Sequence, residues 1–173
     1  RDEVAVAFIV GMAFFVLGLR RRPIQDLGGA EARAQGDDDG GAGVDTLTGG
    51  AGFAVWVESP GSKVVGANIT IKTGGETAPG IFSRNQGVVD LTGFTVTTAA
   101  DTAHGIVSTG ADLWLRNGSV ATDGLGAIGI DLSNAASTTL DNVDVTSQRA
   151  MAARVVSQST LEIANSALTG TTG

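Results

Sequence analysis

Cysteine and tyrosine are both missing from this sequence. The first absence excludes disulfide staples and every reaction that runs through a thiolate, and it leaves the compartment open. Positive charge is scarce as well: two lysines and nine arginines stand against 18 acids, for a formal net charge of −7. Nucleic acid calls for a basic stripe and is therefore excluded as a partner, and no basic patch stands out for anionic polymers. Histidine occurs once, at His104, directly before Gly105, a placement that marks a bend more readily than an acid–base catalyst.

What the sequence has in quantity is repetition. Thr102 to Thr122 reads TAHGIVSTGADLWLRNGSVAT, and its outline recurs upstream in APGIFSRNQGVVDLTGFTVTT and downstream in AIGIDLSNAASTTLDNVDVTS and MAARVVSQSTLEIANSALT. Aligned at 23 to 25 residues, Val89, Leu113, Thr138 and Leu161 form one column and Leu91, Leu115, Leu140 and Ile163 another. Gly93, Asn117, Asn142 and Asn165 form a third, opened by Asn68. Ile71, Val96, Val120, Val145 and Leu168 follow, then Thr73, Thr98, Thr122 and Ser147. Ile81, Ile106, Ile130 and Ala153 make an apolar column ahead of all of these.

Within each copy apolar residues recur at i and i+2, the period of a strand. Three short strands per repeat leave no room for a helix, and a propeller blade needs ~40 residues or more. Leucine-rich horseshoes share the length but follow a different consensus. The fold class is therefore all-β, a parallel β-helix of about five coils over residues 52–173, with coils stacked about 4.8 Å apart. Asn and Gly tolerate left-handed backbone, so the Asn column marks one tight bend in every coil. The column Leu91–Leu115–Leu140–Ile163 is expected to form one buried ladder.

The segments ahead of the repeats differ in kind. Val4 to Leu19 is an unbroken apolar run of 16 residues followed by Arg20, Arg21, Arg22 and Pro23, and residues 1–27 read as an apolar helix serving export or anchoring. Such a segment implies contact with a membrane or an export machinery. Asp2 and Glu3 precede the run and the arginines follow it, the reverse of a signal peptide's charge order. Residues 28–51 read as a Gly- and Asp-rich linker. Inside it Gly40 to Thr48, GGAGVDTLT, fits the nonapeptide of calcium-binding β-rolls, with Asp45 as ligand. The next copy carries Ala54 where its Asp belongs, so Asp45 supplies half of a calcium site.

The motifs A-H-G-I at Ala103 to Ile106, L-W-L-R-N-G-S-V at Leu113 to Val120 and A-T-D-G at Ala121 to Gly124 resemble the pertactin-like passenger domains of bacterial autotransporters. The resemblance covers roughly Gly52 to Thr169. It implies a right-handed β-helix displayed at the surface or outer membrane of a Gram-negative cell, or released from it. An adhesin, virulence factor or stalk that binds a host-cell or other extracellular surface is the function implied, and the chain is expected to be an amino-terminal fragment of such a protein. An Arg-Gly-Asp tripeptide is absent, so an integrin-type attachment motif does not carry over.

Parallel β-helices also host polysaccharide lyases and hydrolases, which gather acids and bases on neighbouring coils. The candidate acids are Asp90, Asp112, Asp131, Asp141 and Asp144, and the candidate bases Arg84, Arg116, Arg149 and Arg154. The alternation places Asp90 and Asp112 outward, where charges serve solvation. Trp56 and Trp114 are of the type that stacks on sugars, although Trp114 sits between two core positions and reads as surface cover. No catalytic residue is assigned, and the enzyme stands as the alternative to a binding rod.

Overall fold

The computed structural model describes residues 52–171 and, before them, three strands: β1 (Ile9–Val10), β2 (Ala32–Gln35) and β3 (Asp45–Gly49). Short and long strands then alternate along the chain. The short ones are β4 (Val55–Glu58), β6 (Ile81–Arg84), β8 (Ile106–Thr109), β10 (Ile130–Ser133) and β12 (Ala153–Val155). The long ones are β5 (Lys63–Thr73), β7 (Val88–Thr98), β9 (Asp112–Thr122) and β11 (Ser137–Ser147). In the last coil β13 (Thr160–Ala164) and β14 (Ala167–Gly170) divide the long strand in two.

One sheet runs β1-β4-β6-β8-β10-β12 and the other β13-β11-β9-β7-β5-β3-β2, with β14 also on β11. All of these pairings are parallel except β2 with β3, which is antiparallel. The result is a parallel β-solenoid of about five turns, without a helix among the described residues. The apolar helix expected over residues 1–27 lies outside the described residues, apart from β1. Two strands, β2 and β3, fall within residues 28–51, and β3 extends the long-strand sheet by pairing Asp45 with Ile69.

Each long strand is bent in its middle, and the Asn column is the cause. Asn68, Asn117, Asn142 and Asn165 have φ of 55°, 52°, 56° and 50°, and Gly93 has φ of 66°. In this left-handed region Asn and Gly lose least, whereas a β-branched residue crowds its own backbone. The ladder skips this one residue in every pair of coils and resumes on either side. Each coil therefore has three flat faces: the short strand and the two arms of the long one. At the bend Asn142 donates from Nδ2 to Asn117 Oδ1 at 2.9 Å, so the column is also tied along the axis.

The core is built from the columns the spacing selects. Leu91 pairs with Leu115, Leu115 with Leu140, and Leu140 with Ile163, in register. The first three are buried, but Ile163 is 50% exposed, against the expectation of a fully buried ladder. It lies on the last described coil, with no further coil among the described residues to cover it. The Val89 and Ile71 columns are continuous in the same way, with Leu161 and Leu168 only partly covered at that end.

Two features of the interior are polar or empty of side chain. Buried Thr73, Thr98 and Thr122 donate to the carbonyls of Ala78, Ala103 and Ala127 at 2.7, 2.6 and 2.6 Å, and Ser147 adds a second bond to Ala127 O at 2.9 Å. These bonds close the turn from each long strand to the next short one. Gly105 stands where two coils approach closely: a Cβ there would lie 2.6 Å from Gly129 O and press on Val120.

Candidate functional site

The inward positions are filled with packing, so chemistry must come from the outward ones. On the short-strand sheet the register aligns Trp56, Phe82, Val107, Asp131 and Arg154 in one outward column. At its upstream end Phe53, Trp56 and Phe82 pack ring to ring, with centroids 5.0, 5.1 and 5.7 Å apart. The Arg84 guanidinium lies over the Trp56 ring at 5.3 Å, and it bonds Glu58 at 2.7 Å. Arg84 thereby holds the Glu58 carboxyl below its usual range, and Asn85 adds a weaker bond at 3.3 Å. Each ring of this group thus contacts the other two, and Arg84 lies over both Trp56 and Phe82.

Further along the same column the chemistry changes. Asp131 is only 7% exposed, because Arg154 folds over it from the next coil and grips both oxygens, Nε to Oδ1 at 2.8 Å and Nη2 to Oδ2 at 2.6 Å. This corrects the expectation that the acids of the repeat simply solvate the surface. Half-buried His104 stands beside this pair, and its Nδ1 accepts the N–H of Ile128 at 3.0 Å. Burial lowers the His104 pKa, Asp131 counteracts that and Arg154 reinforces it. With Nδ1 an acceptor, the neutral ring carries its proton on Nε2.

On the first arm of the long-strand sheet the middle outward column runs Val65, Asp90, Trp114, Thr139 and Glu162. Asp90 is clasped between two coils: Lys63 Nζ reaches Oδ2 at 3.4 Å and Arg116 Nη2 reaches Oδ1 at 2.5 Å. Trp114 next to it is 39% exposed. Asp112 is exposed on the same strand, and Asp141 accepts from Asn165 Nδ2 at 2.9 Å.

The remaining candidates do not join these groups. Asp144 is exposed on the second arm of β11, and Arg149 is exposed in the turn that follows it. Asp45, the calcium candidate, opens β3 beside Ile69, and its side chain lies outside the described residues. No cluster of three or more metal-ligating side chains occurs among the described residues. The structure thus brings His104, Asp131 and Arg154 together, and separately Lys63, Asp90 and Arg116 around Trp114. Phe53, Glu58, Lys63 and Phe82 were not singled out in the sequence. Glu58 and Phe82 carry one signal there, position, each falling one coil away from a candidate, Arg84 and Trp56; Phe53 and Lys63 carry none.

No family model, no curated protein and no solved structure matches this chain.

Proposed function

We propose that this chain is a rigid, surface-displayed rod that acts by binding, in the manner of the autotransporter passengers its repeats resemble. The observation that carries the reading is the division of labour within each coil. Inward columns are apolar or carry small buried hydroxyls, while outward columns change chemistry from coil to coil on one unbroken backbone. Such a stack holds outward side chains at a fixed repeat of about 4.8 Å, and it tolerates variation there because surface changes usually move stability by less than about 0.5 kcal/mol. Adhesion to a host-cell or other extracellular surface uses that property directly.

The lyase or hydrolase reading rests on His104 beside Asp131. Against it, each oxygen of the Asp131 carboxylate accepts a short bond from Arg154, and Nδ1 of His104 accepts a backbone N–H. That leaves Nε2 of His104 and the outer lone pairs of a carboxylate already paired with a cation for any proton exchange, which favours the binding reading.

Display is tested on intact cells of the source organism, by antibody labelling and protease shaving before and after lysis. Signal on intact cells is expected, and signal only after lysis refutes display. Binding is tested with the labelled chain on host cells, where saturable attachment is expected. Release of reducing ends or unsaturated products from pectin or alginate, abolished by Asp131→Asn, would establish the enzyme instead.

A further inference from the structure

We infer that the Trp114 face is a carbohydrate subsite that stacks a neutral hexose of a glycan on the exposed indole. The inference rests on the binding reading above and names its ligand class. Trp114 differs from Trp56 in what surrounds it. Trp56 packs against Phe53, Phe82 and Arg84, whereas among the described residues Trp114 has no ring–ring or cation–ring partner. An indole left 39% exposed on a flat strand face adds little to the core and presents an apolar plane to solvent.

The surroundings of that plane are polar and fixed. Asp112 and Arg116 flank Trp114 two residues away along β9, so both project from the same face. Asp90 and Thr139 sit directly beside it on the neighbouring coils. The Asp90 carboxylate is held by Lys63 and Arg116 together, which orients it before any ligand arrives. Arg116 spends one of its five N–H donors on Asp90, and its side chain is 43% exposed, so donors remain for a ligand. A hexose matches this pattern, having one apolar C–H face to lie on the indole and a rim of hydroxyls for the carboxylate, guanidinium and threonine. Successive coils stand about 4.8 Å apart, so these groups surround the ring at sugar-sized distances.

Charge decides which sugar. Asp90, Asp112, Asp141 and Glu162 outnumber Lys63 and Arg116 on this face, and the chain as a whole carries −7. Uronates and sulfated glycans are repelled, and a neutral polymer is not. A protein partner fits less well. Stable protein interfaces bury about 800 Å² per partner around an apolar centre, and here a single aromatic stands among charges and hydroxyls.

The test labels the full chain with 5-fluorotryptophan, which gives two fluorine resonances, and assigns them with Trp114→Phe. Cellohexaose, maltohexaose and mannohexaose are titrated in turn, with oligogalacturonate as the anionic control. Expected is a saturable shift of the Trp114 resonance with at least one neutral sugar, no shift with oligogalacturonate, and, read by titration calorimetry because the reporting indole is gone, binding weakened tenfold or more in Trp114→Ala. Arg116→Gln, which leaves the indole in place, is expected to weaken binding several-fold. The absence of any saturable shift overturns the subsite, as does sugar binding that survives Trp114→Ala. Equal binding of oligogalacturonate overturns the neutral class. If the labelled chain still attaches to cells with Trp114→Ala, display and binding stand and this subsite alone falls.

Discussion

Replacing threonine by valine exchanges a hydroxyl for a methyl of nearly the same shape, and the solenoid offers three buried threonines at which that one change should have three different results. Thr98 donates to Ala103 O at 2.6 Å. Valine there removes the bond and leaves a buried carbonyl short of its partner, a cost of about 1–3 kcal/mol, offset by roughly 0.8 kcal/mol for the added apolar group. A net loss of ~1–2 kcal/mol is expected. Thr122 makes the equivalent bond to Ala127 O at 2.6 Å, but Ser147 donates to the same oxygen at 2.9 Å. The carbonyl stays satisfied in Thr122→Val, so the loss should be below about 1 kcal/mol. Thr138 is buried in the leucine ladder between Leu113 and Leu161, and its hydroxyl has no hydrogen-bond partner. Valine there removes an unpaired polar group from the core and should stabilise by about 1 kcal/mol. Urea unfolding of the three variants reads the order directly, as shifts in midpoint at an unchanged slope. Equal losses at all three sites, or destabilisation by Thr138→Val, would refute the assignment of these hydroxyls.

Three further outcomes follow from the geometry. Gly105→Ala puts a methyl against Gly129 O and the Val120 side chain, and should cost ~2 kcal/mol or more in a thermal melt because carbonyl backbone cannot step aside. Asn117→Val forces a β-branched residue to φ near 52° and cuts the bond to Asn142, for a loss on the order of 1–3 kcal/mol, whereas Asn117→Gly should cost less than half of that. His104 has its pKa lowered from the ordinary 6.5 by burial, so the unfolded chain binds the proton more readily than the folded one. Stability from this group is fully present above pH 6.5 and falls as the pH drops from there toward the lowered folded value. The slope between pH 7 and 5 should flatten in His104→Gln, whose amide oxygen can still accept from Ile128.

The stack was legible in the sequence wherever a column repeats the same chemistry. Leu91, Leu115 and Leu140 share both a period and an alternation, and those two facts determine register and facing together. The bend was equally legible, because Asn or Gly at one position in five copies answers a single backbone requirement. The sequence signal fails where neighbouring coils put different residues at equivalent positions. Asp131 lies between Ile130 and Leu132 just as Asp90 lies between Val89 and Leu91, so alternation alone assigns both to solvent. That Arg154 buries one and not the other depends on a partner 23 residues away. Phe82 and Trp56 share a column through an offset of 26 residues, outside the period of the later copies, and so the aromatic group was invisible until the strands were paired. Ile163 satisfies every rule of its column and is exposed because coverage comes from the next coil rather than from its own sequence.

The ion pairs along the rod bear on function for a reason of magnitude. Lys63, Arg84 and Arg116 keep about two-fifths of their side chains exposed, at 42%, 40% and 43%. Exposed pairs of this kind contribute about 0–1 kcal/mol each, so stability alone gives little cause for them to sit across coil boundaries. What they do accomplish is to fix side chains that would otherwise sample many rotamers, and each links one coil to the next. Arg116 restrains Asp90 beside Trp114, and Arg84 restrains Glu58 beside Trp56. A binding surface gains affinity from such restraint because the entropy of ordering is spent on folding and not on the encounter. Asp131 is the exception that sharpens the point. It is buried, and removing Arg154 would leave an unpaired charge in a poorly solvated site, so here the pair does hold the coil together. The two exposed networks sit beside tryptophan and the buried one does not, so the proposed binding is expected on the exposed faces.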